Sequence, residues 1–361
     1  MIPHNVELGD DSAMKAQAFR MLDDIIRYKL GRSRPVFVSY YATYRCNRRC
    51  MFCDLWKMNA PELTTEDAEV VIDRIADFGV KSLGISGGEP LIRKDLEEIA
   101  ERARERGIIT GLNTNGILIT KKRAPAIAKA FDAVSISLDG FEKTHDEIRG
   151  VKGTFREAFQ GLRNLTAARG DCVVGVNLVL TNRNFGEFLA FCRWIKEYVA
   201  YITFFPVSES PGETSYSSLY SIPRDRVDDF VEQVLSEKAR DPSFIEPSET
   251  LIRLLREFIK GKMPYICDAG RLYLGISPNG DLKICPCVSD KPPWKIGSLL
   301  DKSMKELLDS DQFYSALEVI KSCRPCLAGC TTPLSLLFRG SVVHQAKEAL
   351  KYLKINQRTR H

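Results

Sequence analysis

The sequence predicts an α/β protein, a partial (β/α)6 TIM-like barrel followed by a C-terminal cysteine-rich module. Three observations predict it. Between residues 35 and 207, short β-branched runs alternate with longer segments of helical apolar spacing, the pattern of βα units around a parallel sheet. Six such units can be counted, enough for an open barrel rather than a closed one. Of the eleven cysteines, nine fall into two groups, one directly after the first strand and one beyond residue 266.

Residues 1–34 hold a helix from about Ala13 to Leu30, with Phe19, Leu22, Ile26 and Leu30 along one stripe. It reads as a cover for the barrel's bottom or edge; contact with a membrane surface has no support beyond that stripe. PVFVSYYA (35–42) is the first strand, and a helix from Thr65 to Phe78 follows a cysteine loop, capped by Thr64 or Thr65 with Asp67 in its first turn. KSLGIS (81–86), GIITGLNT (107–114), DAVSISLD (132–139), CVVGVNLVL (172–180) and YITFFPV (201–207) are the next five strands. Helical spacing fills 94–106, 120–130, 154–168 and 187–198. Strands this apolar predict helices on one side and a packed interior on the other. SESPGETSYSSLYSI (208–222) is a polar boundary that opens a helical linker over 208–266, with helices near 223–239 and 248–261. The cysteine module spans 267–335, and residues 336–361 close the chain with a helix over Ser341–Leu353 and the basic tail QRTRH.

Charge excludes some partners. Lys plus Arg number 52 against 47 Asp plus Glu, a net +5 that is too mild over this length for a nucleic-acid binder. No run of about 18 apolar residues is present, and the start MIPHNVELGDDSAMK lacks a secretory pattern, so the chain reads as cytoplasmic. In a reducing compartment, clustered thiols bind metal more often than they form disulfides. Cys172 and Cys192 stand alone in apolar stretches and read as small buried hydrophobes.

Cys46-x3-Cys50-x2-Cys53 sits at the carboxyl end of the first strand, where barrel enzymes place their chemistry. Three thiolates on one loop can hold three corners of a cubane iron–sulfur cluster and leave one iron open. Zinc is the alternative, but no His or further Cys lies within the loop to close a four-ligand site. The loop TYRCNRRCMFCD, with Phe52 before the third cysteine, resembles the signature of the radical S-adenosylmethionine superfamily, and the resemblance extends over residues 35–207.

That resemblance implies a [4Fe-4S] cluster on Cys46, Cys50 and Cys53, and S-adenosylmethionine as cofactor. It implies cofactor contacts at Phe52, at Gly87, Gly88 and Glu89 of the GGEP run, and at Asn115, Ser137, Asp139 and Asn177 near the strand ends. Gly87 and Gly88 would let the cofactor approach the main chain. Taken as residues alone, GGEP, Asn115-Gly116 and Asp139-Gly140 are also ordinary turn chemistry. Asn177, amid aliphatic neighbours, needs a hydrogen-bond partner, and Arg149 in HDEIRG reads as a solvated loop arginine.

Downstream, CDAGRLYLGISPNGDLKIC reads as a hairpin turning at Pro278-Asn279-Gly280 and bringing Cys267 near Cys285. A helix near 299–320 leads to Cys323-x2-Cys326-x3-Cys330. Together these resemble the SPASM extension or its shorter twitch form, which holds auxiliary four-iron clusters. One auxiliary [4Fe-4S] cluster on Cys267, Cys285, Cys323 and Cys326 is the reading; Cys330 could replace either of the last two, and Cys287 is the least constrained. Zinc remains an alternative here, because cysteine pairs on hairpins also build zinc ribbons. The module is expected to cap the open top of the barrel.

The resemblance implies an enzyme that cleaves S-adenosylmethionine with one electron, from a reductant such as ferredoxin or flavodoxin, and abstracts hydrogen from its substrate. A non-catalytic iron–sulfur carrier or a zinc scaffold leaves GGEP and the strand-end polar residues unexplained. The 34 residues before the first strand are too few for a leader-binding domain, so the expected substrate is a small molecule, tetrapyrrole or lipid rather than a peptide.

Overall fold

The computed structural model describes residues 23–207, 222–264, 266–323, 325–328 and 331–340. Its strands, β1 Phe37–Thr43, β2 Ser82–Gly87, β3 Ile109–Thr114, β4 Ala133–Ser137, β5 Val173–Leu180, β6 Tyr201–Pro206, β7 Tyr273–Ile276, β8 Asp281–Lys283 and β9 Lys295–Ser298, form a single sheet in the order β6-β5-β4-β3-β2-β1-β7-β8-β9. The first six pair in parallel, as the alternation predicts. Between and after them lie α1 Thr65–Phe78, α2 Leu96–Glu105, α3 Ala124–Ala130, α4 Glu142–Arg149, α5 Thr154–Ala168, α6 Phe188–Ile195, α7 Val227–Arg240, α8 Glu249–Ile259, α9 Met304–Leu308, α10 Asp311–Ile320 and α11 Thr332–Arg339.

Local chemistry sets several boundaries. The Thr64 hydroxyl accepts from the Asp67 N–H at 3.1 Å and starts α1, and Gly79, at φ +97°, ends it. The helix expected over 299–320 is two helices. Ser303 and Glu306 form a capping box on α9, and Ser310 accepts from the Phe313 N–H to cap α10, so the second cap interrupts the first helix. HDEIRG, read as a loop, is the end of helix α4. Neither β9 nor α11 was expected as an element.

The two faces of the sheet differ more than expected. Val38, Tyr40, Leu83, Ile85, Val134, Ile136, Val176 and Leu178 are buried on one face. Along the same strands Tyr41, Ser86, Ser135, Ser137, Asn177 and Thr203 alternate onto the inner face and are only partly buried, while Asn113 is exposed. That inner face is therefore mixed, with Phe37, Val179, Tyr201 and Phe205 on it beside accessible polar side chains, and is less closely packed than apolar strands predict.

The cysteine hairpin is hydrogen-bonded into the sheet. β7 pairs in parallel with β1 from Phe37↔Tyr273 to Tyr40↔Ile276, and β8 and β9 follow antiparallel. The hairpin thereby satisfies the backbone groups that β1 would otherwise expose as an edge. Residues 23–29 are helical, but the expected stripe points outward: Ile26 and Leu30 are 49% and 67% exposed, whereas Asp24 and Ile25 are buried. The expected helix over 341–353 and most of the one over 13–30 lie outside the described residues. Among the described residues no helix is long and apolar enough to cross a membrane.

Candidate active site

The loop carrying Cys46, Cys50 and Cys53 is held from two sides. On one side the Gly88 and Glu89 N–H groups donate to the carbonyls of Thr43 and Arg45, both at 2.8 Å. A β-carbon on Gly88 would lie 2.2 Å from the Arg45 carbonyl oxygen, and one on Gly87, at φ +135°, 2.2 Å from that of Thr43. These glycines are thus required by the close approach of the cysteine loop's own backbone. On the other side the Met51 N–H donates to Ile148 at the end of α4, at 3.0 Å, and the Asn115 amide donates to Asn47 Oδ1 at 2.7 Å. The Trp56 indole closes the loop on the Cys53 carbonyl at 2.9 Å.

Glu89 does not face open space. Its carboxylate is fully buried and accepts from the Thr114 hydroxyl at 2.6 Å, the Asn115 N–H at 2.7 Å and the Leu91 N–H at 3.1 Å. Burial raises its pKa, and the three donors work against that rise. Its role in the fold is to tie the end of β2 to the end of β3, beneath Asn115. Asp139 is likewise 0% exposed, and both its oxygens are held by protein donors. One oxygen accepts from the Val179 N–H at 2.9 Å and the other from Arg149 Nε at 2.5 Å.

Arg149 is buried, which overturns the solvated-loop reading; the helical turn of α4 carries it inward. Its guanidinium reaches Cys50 Sγ at 3.7 Å and lies 5.5 Å from the Phe52 ring centre. Burial disfavours its charge, but the Asp139 carboxylate and the Cys50 sulfur more than reverse this, and its pKa is raised. Ser137 and Asn177 sit opposite one another on β4 and β5, half-buried on the inner face. The partner expected for Asn177 is not found among the described residues, because its amide points to the inner face rather than into the core.

The thiols report their surroundings. Burial pushes Cys46 up and Cys53 up to about 12, each raised further by its cysteine neighbours.

Five described cysteines of the second group also converge. Burial pushes Cys326 up to about 12, with Cys287, Cys267 and Cys323 as the charges acting on it. The Cys285 sulfur accepts from the Cys287 N–H at 3.4 Å, and Cys267 Sγ lies 3.2 Å from the Tyr273 hydroxyl. Cys287, the least constrained in the sequence, is therefore part of the group; Cys330 lies outside the described residues. The two cysteine regions are joined by a buried bridge: the Tyr44 hydroxyl donates to Asp290, which pairs with Lys283 at 2.8 Å, and the Lys283 ammonium lies 5.0 Å from the Tyr41 ring centre. Sequence reasoning missed this bridge, whose only signal was a lysine inside a predicted strand.

Residues 40–195 match the model of the radical SAM superfamily, and residues 267–331 match that of the SPASM iron–sulfur cluster-binding domain. Fe-coproporphyrin III synthase of Methanosarcina barkeri is 36% identical over 45% of this chain and 41% of its own length, so the chain spans less than half of that relative. Mycofactocin maturase MftC of Mycobacterium tuberculosis is 28% identical over 73% of this chain and 67% of its own. The crystal structure of Streptococcus suis SuiB bound to precursor peptide SuiA superposes with a TM-score of 0.62 at 19% identity, covering 96% of this chain and 81% of that one, a likeness of fold. The expectation of a non-peptide substrate is corrected by these matches, since they include a maturase and a peptide-bound neighbour. It had rested on the length of chain before β1, which does not measure what the barrel's mouth admits. With both family models matched in order along one continuous sheet, the chain belongs to the radical S-adenosylmethionine enzymes that carry a C-terminal SPASM domain.

Proposed function

We propose that the chain is a peptide-modifying radical enzyme. In this reading Cys46, Cys50 and Cys53 ligate three irons of a [4Fe-4S] cluster and S-adenosylmethionine takes the fourth. The observation that carries it is the docking of the cysteine loop on Gly88 and Glu89, which presents three thiols together at the carboxyl end of a parallel sheet, whose inner face carries accessible polar side chains. When bound, the reduced cluster and S-adenosylmethionine supply one electron and a 5′-deoxyadenosyl radical, able to take a hydrogen atom from an unactivated carbon.

The chain's own residues bind and orient. Arg149, fixed by Asp139, places a permanent positive charge beside Cys50, where it offsets cluster charge and can receive a carboxylate. Phe52 offers a ring against that guanidinium. Ser137, Asn177 and Asn113 offer hydrogen bonds along that face, which suits a substrate rich in amide groups. The second group, Cys267 with Cys323, Cys326 and either Cys285 or Cys287, would hold one auxiliary cluster; Cys330 is a further candidate ligand. The maturase relative supports the peptide assignment.

Anaerobic reconstitution with iron, sulfide, S-adenosylmethionine and dithionite tests the reading. The expected product is 5′-deoxyadenosine, lost in Cys50→Ala. Peptides made from short reading frames beside the gene should raise its yield and change in mass; a wild-type chain that yields none overturns the assignment.

A further inference from the structure

Tyr273 opens β7 at 1% exposure, with its hydroxyl 3.2 Å from Cys267 Sγ. The same oxygen accepts from the Asp268 N–H at 3.3 Å. A tight turn folds the ring back over the cysteine. The Gly270 N–H donates to the Tyr273 carbonyl at 3.0 Å, and Gly270 stands at φ +75°, where a β-carbon would lie 2.5 Å from Ile284 Cδ1. The Arg271 and Leu272 N–H groups donate to the Asp268 carbonyl at 3.0 and 2.9 Å. The turn is also held from outside. The buried Asp268 carboxylate accepts from the Tyr28 hydroxyl at 3.0 Å and from Arg339 Nε at 2.8 Å, and Arg339 Nη2 donates to the Cys267 carbonyl at 3.0 Å.

We propose that Tyr273 is a positioning residue that sets the reduction potential of the auxiliary cluster by donating its phenolic proton to the Cys267 sulfur. The inference rests on the reading of Cys267 as a ligand given above. A ligating cysteine is a thiolate and has no proton to give, so the phenol is the donor. The Asp268 N–H occupies one lone pair of the phenolic oxygen and leaves its single proton for the sulfur. A hydrogen bond to a ligating sulfur stabilises the reduced, more negative cluster more than the oxidised one, and so raises the potential.

The test uses the full chain with Cys46, Cys50 and Cys53 changed to alanine, reconstituted with iron and sulfide without air, so that only the auxiliary cluster titrates. Iron per chain is measured first. If this parent binds no cluster, the ligand assignment falls and the inference falls with it. With the cluster present, Tyr273→Phe should keep its iron and shift the midpoint, followed by electron paramagnetic resonance in a redox titration, to more negative potential. Tyr28→Phe, which removes a phenol from Asp268 but from no sulfur, should not shift it. A loosened turn that admits water would move the midpoint upward, so the sign separates donation from mere packing. A full-iron Tyr273→Phe protein with an unchanged or more positive midpoint overturns the proposal. If that variant loses iron, 3-fluorotyrosine at position 273, a stronger donor of nearly equal volume, should raise the midpoint, and no rise overturns the proposal equally.

Discussion

Gly88→Ala is a demanding trial of how the cysteine loop is held. The new β-carbon would start 2.2 Å from the Arg45 carbonyl oxygen and 2.6 Å from that of Tyr44, both main-chain atoms that cannot rotate away. Restoring ordinary contact requires the loop to retreat by about 1 Å or more. That retreat breaks or lengthens the bonds from Gly88 to Thr43 and from Glu89 to Arg45, each worth roughly 0.5–1.5 kcal/mol. Overpacking adds about 1–3 kcal/mol, so the total loss is about 2–6 kcal/mol. At roughly 2–4 °C per kcal/mol for domains of 150–250 residues, thermal unfolding should move down by about 4–24 °C. Because the loop carries the three cysteines, displacement by about 1 Å should also cut 5′-deoxyadenosine formation by about 100-fold. Scanning calorimetry and a timed cleavage assay on air-free protein read both effects. Gly186→Ala, where the added carbon meets nothing within 4 Å, serves as the control. A Gly88→Ala protein that melts and cleaves like the control would refute the close-approach argument.

Other outcomes follow from buried charge. Arg149→Ala leaves Asp139 charged and unpaired at 0% exposure and should cost about 3–5 kcal/mol in urea unfolding; a loss below about 1 kcal/mol contradicts the pairing. Asp290→Ala strands Lys283 in the same way, whereas the double change Asp290→Leu with Lys283→Met should recover most of that loss, because apolar replacements remove both desolvated charges. His145 is pushed down from 6.5 to about 4, chiefly by burial, so the unfolded chain binds this proton first. Its contribution is full above pH 6.5 and is lost as pH falls through 4, up to about 3 kcal/mol, and His145→Asn should flatten stability over that window. Iron analysis should show losses in Cys267→Ala, Cys323→Ala and Cys326→Ala but none in Cys172→Ala or Cys192→Ala, whose thiols are packed in apolar core.

Much of the fold was legible because it is written in local signals. Six strands and their helices follow from period and from capping residues such as Thr64 and Ser248, since each element buries one face against its immediate neighbours. Ser303 and Ser310 carry equally local capping signals, and they divide into two helices a stretch that one apolar period spans. The site was legible in part. The cysteine spacings marked both thiol groups, and GGEP marked the strand that holds the first.

The amino-acid order by itself determined which residues carry chemistry, because ligand spacing, strand period and turn residues are properties of a few adjacent positions. Only the tertiary structure decided what each polar residue does. Glu89 and Asp139 are sealed scaffolds, Arg149 is turned inward onto Cys50, Cys287 joins its neighbours, and Lys283 bridges two loops. Those roles depend on distances between segments tens to hundreds of residues apart and on the loss of water around them, which local patterns do not encode.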